Sequence, residues 1–214
     1  RRRRIQTPRP LPFMKSQITA CQSLIGGAMQ IDGSSKIRNS EKNFRQLFTE
    51  RFSVRSYDDA PVDLSAIDEA IEISLKAPSV CNRQSSRVWV MTEAAQIADT
   101  LRVQGGFTGY PTPPVLLVVT SDLSGFLSLS ERNQPFIDGG AFSMALLLAL
   151  EYVGLAACPL NAMFDATGDR MIRRVVGIGD SENIIMFIAV GNFKPVNNVA
   201  KSFRYSRQEV THYQ

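Results

Sequence analysis

Residues 141–160 read AFSMALLLALEYVGLAACPL and form the most apolar stretch of the chain. Ser143 lies near the start of this stretch, and Glu151 interrupts it. A membrane-spanning helix needs about 20 apolar residues in an uninterrupted run. The sequence therefore predicts a buried core helix from about Ile137 to Tyr152, and no membrane is expected as a partner.

Three apolar runs predict the strands that accompany this helix. Residues 115–120 and 184–190 are continuous apolar runs rich in β-branched residues, as expected for buried strands. Residues 88–91 supply a third, shorter strand. A few buried strands alternating with helices predict an α+β sandwich, in which helices flank one small mixed or antiparallel central sheet.

The spacing of apolar residues predicts four further helices. One begins at about Glu41, and another follows Asp63, whose carboxylate can cap a helix start. The remaining two begin at about Ala94 and cover residues 169–176. The apolar residues expected to face the body are Phe44, Leu47, Phe48 and Phe52 in the first helix and Leu64, Ile67, Ile71 and Leu75 in the second.

Charge is distributed unevenly along the 214 residues. Residues 1–40 carry eight Lys and Arg residues against one acidic residue, whereas residues 41–214 carry 16 basic and 19 acidic residues. We predict a basic N-terminal extension over residues 1–40 and one globular domain over residues 41–214. The extension either lies partly ordered on the body or acts as a basic tether. Because the globular part is not basic, nucleic acid is not expected as a partner.

Cysteine and histidine content excludes several kinds of site. Cys21, Cys81 and Cys158 form no CxxC pair, which argues against a disulfide framework and a metal site and favours a reducing, cytoplasmic setting. His212 is the single histidine and lies two residues from the end, so Ser-His-Asp or Cys-His catalysis is not expected. No catalytic side chain is predicted.

The chain lacks an initiator Met, as expected for a processed or truncated product.

The first candidate binding motif is Arg51-Phe52-Ser53-Val54-Arg55. The glycine-rich signatures GxGxxG and GxxxxGK[ST] do not occur, so a phosphate ligand would be held mainly by side chains. In an extended segment, Arg51, Ser53 and Arg55 project from the same side. Two guanidinium groups and one hydroxyl could then converge on one phosphate. The alternative is a solvated basic loop.

Two later motifs offer polar edges and close backbone approach. Residues 77–84, APSVCNRQ, follow a predicted helix end and offer uncharged hydrogen-bonding groups that suit the edge of a heterocycle. Ordinary turn chemistry is the alternative there. Residues 154–162, GLAACPLNA, are mostly small and would let the backbone approach a flat ligand.

In this order, these motifs resemble the nitroreductase family of FMN-dependent enzymes over about residues 44–210. The apolar helix that ends in Gly154-Leu155 and the late Val190-Gly191 after a strand match the same pattern. The resemblance implies a homodimer with two FMN sites at the subunit interface and NAD(P)H as electron donor. A nitroaromatic, quinone or enone would accept the electrons.

The resemblance also implies roles for individual residues. Arg51, Ser53 and Arg55, with Phe52 in the same segment, would bind phosphate and ribityl oxygens. Pro78, Ser79 and Asn82 would reach the flavin from the other subunit. Pro159, Leu160 and Asn161 would lie along the isoalloxazine, with a backbone N–H near its N5. Lys201 and Arg204 would complete the phosphate site, Arg102 or Gln104 would meet the pyrimidine edge, and Phe107 and Tyr110 would line the substrate space or simply pack the loop.

The chain also departs from the family pattern. Its loop over residues 105–114 is short, Val80-Cys81 replaces small polar residues, and Ser85 replaces a frequent proline. One alternative function is therefore a specialised biosynthetic flavoenzyme of the same fold. Another is a non-enzymatic flavin-binding protein with a basic interaction arm. For Cys81 and Cys158 we expect structural rather than redox roles.

Overall fold

A computed structural model of the protein describes residues 27–36 and 38–214. The chain divides into two compact units, and the larger one spans residues 30–199. The smaller unit contains the described residues 27–29 and 200–214. Expectations for residues 1–26, including most of the basic extension and Cys21, lie outside the described residues. The boundary expected at residue 40 stays a prediction.

Strands and helices alternate along the described chain. The strands are β1 (Gly27–Asp32), β2 (Ser86–Met91), β3 (Val115–Asp122), β4 (Leu155–Leu160), β5 (Glu182–Asn192) and β6 (Val196–Lys201). The α-helices are α1 (Phe44–Glu50), α2 (Leu64–Ser74), α3 (Ala94–Gln104), α4 (Gln134–Tyr152), α5 (Ala166–Val176) and α6 (Arg207–Val210). None of the described helices is long and apolar enough to cross a membrane.

Four strands form the central sheet of the larger unit, in the order β2-β3-β5-β4. Every neighbouring pair is antiparallel, with Val118 of β3 opposite Trp89 on one side and Phe187 on the other. The interior of β3 is completely buried, as its continuous apolar run predicts. The predicted class, an α+β sandwich with a small central sheet, is confirmed.

Strand β4 lies at the edge of this sheet. A strand over these residues was not predicted from the sequence. Alanine and proline have low strand propensity, so the local sequence gives a weak signal. Pairing with β5, from Leu155 opposite Asn192 to Leu160 opposite Phe187, determines the strand. Pro159 is tolerated because an edge strand need not donate an N–H on its outer side.

The predicted core helix is α4, which begins three residues before the expected start. Pro135 occupies its first turn, where a missing N–H costs nothing. Phe142, Leu146 and Leu150 are buried, and α4 packs against α2, β3, β4 and β5. A Cβ added to Gly139 would lie 2.7 Å from Ile185 Cγ1. The helix and the sheet therefore approach each other closely at this glycine.

The outer helices bury fewer apolar residues than we predicted. In α1 only Leu47 is buried, while Phe44 and Phe48 are 71% and 47% exposed and contact each other at 5.6 Å between ring centroids. Helix α2 is capped by Asp63 as predicted and buries Ile67. Leu64 and Leu75, at its two ends, are 48% and 60% exposed. The expected packing of these residues on the body holds for Leu47 and Ile67, whereas Phe44, Phe48, Leu64 and Leu75 are exposed. Phe52 was expected in the first helix and lies after its end, because α1 stops at Glu50.

Candidate functional site

The Arg51–Arg55 segment is extended and lies beside the outer edge of β4. It begins where α1 ends, since Arg51 leaves the helix with φ −70° and ψ 128°. Ser53 forms a parallel bridge with Ala157, and Val54 N–H donates to Ala157 O at 3.0 Å. Val54 is 1% exposed, while Ser53 and Arg55 on either side of it are half-buried. Val54 is therefore the inward-facing residue here, and its two neighbours lie on the more accessible side.

Tyr57, which the motifs did not single out, fixes this segment to the sheet. Its hydroxyl lies 2.8 Å from Val54 O and 3.0 Å from Ala189 O, so its single hydrogen is shared between the two carbonyl acceptors. A Cβ at Gly191 would lie 2.5 Å from the Tyr57 ring, so this glycine leaves room for the ring. Burial strongly raises the pKa of Tyr57, whose hydroxyl therefore stays protonated and able to donate. The late Val190-Gly191 was the only sequence signal of this contact.

Arg55 is bordered by the short loop over residues 105–114. Its guanidinium carbon lies 5.9 Å from the centroid of the Tyr110 ring, within range of a cation–π contact. Tyr110 in turn contacts Phe107, with 5.3 Å between ring centroids. Phe107 is 4% exposed and anchors the loop, whereas Tyr110 is 48% exposed. Of the two aromatic candidates for the substrate space, Tyr110 is the accessible one.

Cys158 is a residue of β4, next to Ala157, which pairs with the Arg51–Arg55 segment. It is completely buried, and burial raises the pKa of the Cys158 thiol. The positive charges of Arg55 and Arg51 oppose this rise in pKa. Cys158 therefore behaves as a small core residue, while Cys81 is exposed.

The loop after α2 is tightly held in an unusual backbone conformation. Cys81, Asn82 and Gln84 have φ values of 50°, 54° and 50°, which residues other than glycine seldom adopt. Ser79 Oγ accepts from Gln84 N–H at 3.0 Å, and the buried Asp138 Oδ2 accepts from Val80 N–H at 3.1 Å. Such strain persists only where surrounding contacts determine the conformation. These contacts leave Asn82 exposed.

Two further contacts hold this loop in place: an ion pair of Arg83 and a hydrogen bond from Gln134 of α4. Arg83 pairs with Glu131, and the Arg83 guanidinium lies 5.2 Å from the Phe126 ring centroid. Gln134 Nε2 donates to Asp138 Oδ1 at 2.7 Å and so orients the carboxylate that holds Val80. The role of Asp138 was not predictable from the sequence, because its partner Val80 lies 58 residues away.

Gln104 connects the end of α3 to the end of β4. Its side chain is 5% exposed; Nε2 donates to Asn161 O at 3.0 Å, and Oε1 accepts from Gly106 N–H at 2.7 Å. Leu160 is buried and Pro159 is half-buried, while Asn161 is exposed and its Oδ1 accepts from Met163 N–H at 2.9 Å. The expected contacts of Gln104, Pro159, Leu160 and Asn161 with a flavin stay predictions.

Lys201 and Arg204 belong to the smaller unit. Both are exposed, and Arg204 Nη1 donates to Phe203 O at 2.9 Å. The same unit contains α6, which begins with a capping box between Ser206 and Glu209. The roles expected for Lys201 and Arg204 at a phosphate site stay predictions. On the larger unit, Arg102 pairs with Asp99 on the surface of α3.

A buried ionic cluster that the motifs missed lies next to Arg51. Lys36 pairs with Glu151, and the two side chains are 4% and 3% exposed. Lys36 Nζ also donates to Glu50 O at 2.6 Å. Burial raises the pKa of Glu151, whereas the nearby cations Lys36, Arg51 and Lys42 lower it. The interruption of the apolar run by Glu151 was the only sequence signal of this cluster.

The geometry of one chain therefore brings together the Arg51–Arg55 segment, β4 and Tyr110. Two arginines and a serine hydroxyl on an extended segment suit a phosphate monoester, and the small residues of β4 suit a flat ring system. Among the described residues, no group of His, Cys, Asp and Glu side chains could hold a metal ion. This donor set fits FMN better than a metal-dependent site.

The Arg51–Arg55 segment and the loop after α2 lie in a part of the chain that is similar to a known protein family. The sequence profile of the nitroreductase family matches residues 48–104, which include Arg51, Ser53, Arg55 and the loop after α2. The resemblance to the nitroreductase family is confirmed.

Solved structures share the fold at low sequence identity. A nitroreductase family protein from Streptococcus pneumoniae is 20% identical and has a TM-score of 0.67, with 80% of this chain and 100% of that chain covered. An FMN-dependent nitroreductase from Clostridium difficile is 18% identical and has a TM-score of 0.62, with coverages of 79% and 98%. A Parabacteroides distasonis protein assigned as an NADH dehydrogenase/NAD(P)H nitroreductase is 24% identical and has a TM-score of 0.68, with coverages of 81% and 99%.

Proposed function

We propose that the protein is an FMN-dependent oxidoreductase that takes electrons from NAD(P)H and passes them to a small organic acceptor. A nitroaromatic, a quinone or an enone would be the acceptor. The observation that carries the proposal is the extended Arg51–Arg55 segment on the edge of β4, within the stretch that matches the nitroreductase profile. Structural relatives include an FMN-dependent nitroreductase and an NADH dehydrogenase/NAD(P)H nitroreductase, which supports the same cofactor and donor.

In this proposal, FMN supplies the redox chemistry by accepting hydride and passing electrons onward. The protein binds and orients the flavin. Arg51 and Arg55 hold the phosphate, and Ser53 donates its hydroxyl to phosphate or ribityl oxygens. Lys201 and Arg204, in the smaller unit, are kept as further candidate phosphate ligands on the family resemblance alone.

The remaining residues of the site contact the ring system. Pro159, Leu160 and Asn161 lie along the isoalloxazine, and Pro78, Ser79 and Asn82 reach it from a second subunit. Gln104 supports the chain next to the pyrimidine edge. Tyr110, which is exposed beside Arg55, borders the space for nicotinamide and acceptor. No acid–base side chain is required, because the flavin carries the reaction.

We further propose a homodimer, because the described part of the larger unit exposes several large apolar side chains. Phe44 and Phe48 of α1 form one such pair, and Phe136 and Ile137 at the start of α4 are 54% and 59% exposed. Leu127 and Leu129, just before α4, are 87% and 88% exposed. Exposed apolar side chains that adjoin one another, such as the Phe44–Phe48 pair, are candidates for an association surface. The free Cys81 and Cys158 suit a reducing setting such as the cytoplasm.

The decisive experiment is an absorbance spectrum of the purified protein before and after FMN is added, followed by anaerobic titration with NADH and with NADPH. We expect a bound flavin spectrum that bleaches with at least one nicotinamide. Absence of bound flavin even with added FMN would refute the proposal. Flavin that binds but is not reduced by either nicotinamide would instead support the non-enzymatic alternative.

A further inference from the structure

Asp138 is a buried carboxylate that receives its hydrogen bonds from uncharged groups. It lies in the second turn of α4 and is 4% exposed. Its Oδ2 accepts from Val80 N–H at 3.1 Å, and its Oδ1 accepts from Gln134 Nε2 at 2.7 Å. Within the part of the chain that the structure describes, no cationic side chain forms an ion pair with it. A buried carboxylate without a cation is unfavourable on its own, so the place where it lies bears on its purpose.

The loop that Asp138 contacts has a backbone conformation that its own sequence does not favour. Cys81, Asn82 and Gln84 have φ values of 50°, 54° and 50°. This left-handed region disfavours every residue except glycine, and residues 79–84 contain no glycine. Contacts from outside the three left-handed residues must therefore keep the loop in this conformation.

Three contacts hold the loop, and Asp138 makes the most deeply buried one. Asp138 holds the N–H of residue 80, and Ser79 Oγ accepts from Gln84 N–H at 3.0 Å. Arg83 pairs with Glu131, which lies just before α4. The other oxygen of Glu131 accepts from the N–H groups of residues 127 and 128 at 2.9 Å and 3.2 Å, so this anchor is itself fixed. The loop is therefore held at its start, middle and end.

The residue that this conformation presents is Asn82. It is exposed and lies between the anchored residues 80 and 83. The proposed function places Asn82 against the flavin ring, where its amide group can both donate and accept hydrogen bonds. A loop that already has its bound conformation need not be ordered when the ligand arrives, which favours tight binding.

We propose that Asp138 is a positioning residue that holds residues 80–84 in the left-handed conformation from which Asn82 reaches the flavin ring. This inference rests on the proposed function. Asp138 acts through the backbone of the loop and does not itself touch the ligand. Its removal should therefore weaken the contact with the ring and leave the contact with the phosphate unchanged.

The test measures the affinity of flavin-free variants for FMN and for riboflavin, which differ only by the phosphate. We expect Asp138→Ala to weaken the binding of both about tenfold, because the charge-assisted hydrogen bond to Val80 N–H is lost. Asp138→Asn keeps an acceptor oxygen and should stay within about threefold of the original affinities. Adding Cys81→Gly to Asp138→Ala should raise both affinities about fivefold, because glycine adopts the left-handed conformation readily.

A second variant keeps the inference testable if Asp138→Ala does not fold. Arg83→Met removes the ion pair with Glu131, and we expect it to weaken the binding of both flavins about threefold. Cys81→Gly should again restore the loss. Arg38→Met removes the same charge from an exposed pair with Glu41 and serves as the matched control. A loss confined to FMN, or no recovery with Cys81→Gly in either background, would overturn the inference.

Amide hydrogen exchange separates this inference from the proposed function. The Val80 N–H should exchange slowly in the unmodified flavin-free protein and faster in Asp138→Ala. If the unmodified protein binds neither flavin, the proposed function fails and the inference fails with it. If it binds flavin, and Asp138→Ala opens Val80 to exchange but keeps both affinities, only the inference fails. The melting temperatures of the flavin-free variants show whether any loss of binding reflects unfolding.

Discussion

Arg51 and Arg55 carry the central prediction at the scale of single residues. Replacing either one with alanine should weaken FMN binding by about 1–3 kcal/mol, because each removes charge-assisted hydrogen bonds to the phosphate. Fluorescence titration of the flavin-free protein with FMN measures the change. Arg38→Ala is the control, since Arg38 forms an exposed surface pair with Glu41. Unchanged FMN affinity in both arginine variants would contradict the assignment of Arg51 and Arg55 as phosphate ligands.

Asp138 offers a prediction about the loop over residues 78–84. Asp138→Ala leaves the Val80 N–H and the Gln134 amide without their acceptor. We expect the free energy of unfolding to fall by about 1–3 kcal/mol, the cost of unsatisfied buried donors. Asp138→Asn keeps an acceptor oxygen and should cost less. Urea denaturation measures both, with Asp99→Ala as a surface control; equal losses in the two Asp138 variants would contradict this account.

At the scale of elements, the sequence predicted those strands and helices whose signal lies within their own residues. Strands β3 and β5 and helix α4 were predictable because long apolar runs require burial whatever surrounds them. Strand β4 was not, because Ala156, Ala157 and Pro159 favour no strand and only pairing with β5 establishes one. The left-handed residues after Ser79 were hidden as well, because the loop contains no glycine to signal them.

The candidate site shows the same division. The spacing of Arg51, Ser53 and Arg55 was visible as a local motif. The contact of Lys36 with Glu151 spans 115 residues, and that of Tyr57 with Ala189 spans 132. Glu151 within the apolar run and Gly191 after Val190 were visible in the sequence, but neither indicated its distant partner. The side chains proposed to touch a ligand therefore come from local motifs, whereas those that hold the segment in place were not predictable from motifs.

Gly191 provides a prediction for the junction between β5 and the extended segment. Gly191→Ala places a methyl group 2.5 Å from the Tyr57 ring, and the ring is held by its hydroxyl, which is shared between two carbonyl acceptors. Overpacking of this kind should lower the free energy of unfolding by about 1–3 kcal/mol. Gly179→Ala is the matched control, because its added Cβ would meet nothing within 4 Å. Thermal or urea denaturation that ranks the two variants equally would argue against the contact.

At the scale of the whole molecule, the proposed dimer makes flavin binding depend on association. Phe136→Asp places a charge on an exposed apolar side chain at the start of α4. If this surface is the interface, sedimentation velocity should show a shift from dimer to monomer, and flavin should be lost in parallel. Met171→Asp changes another exposed apolar residue, 41% accessible and in α5, from which no residue is proposed to contact the flavin or the partner, and should leave the dimer intact. A Phe136→Asp variant that remains dimeric would exclude this part of α4 from the interface.

The outer edge of β4 has a further consequence, which concerns aggregation. The Ala157 carbonyl on that edge already accepts from Val54, and the next outward position is Pro159, which has no N–H to donate. A strand from another molecule would find neither a free acceptor at residue 157 nor a donor at residue 159. Open sheet edges invite uncontrolled strand addition, and natural proteins block them with proline and with covering segments. The segment proposed to bind phosphate therefore also protects the chain from edge-to-edge self-association. Removing this segment would leave the outer edge of β4 open to strand addition.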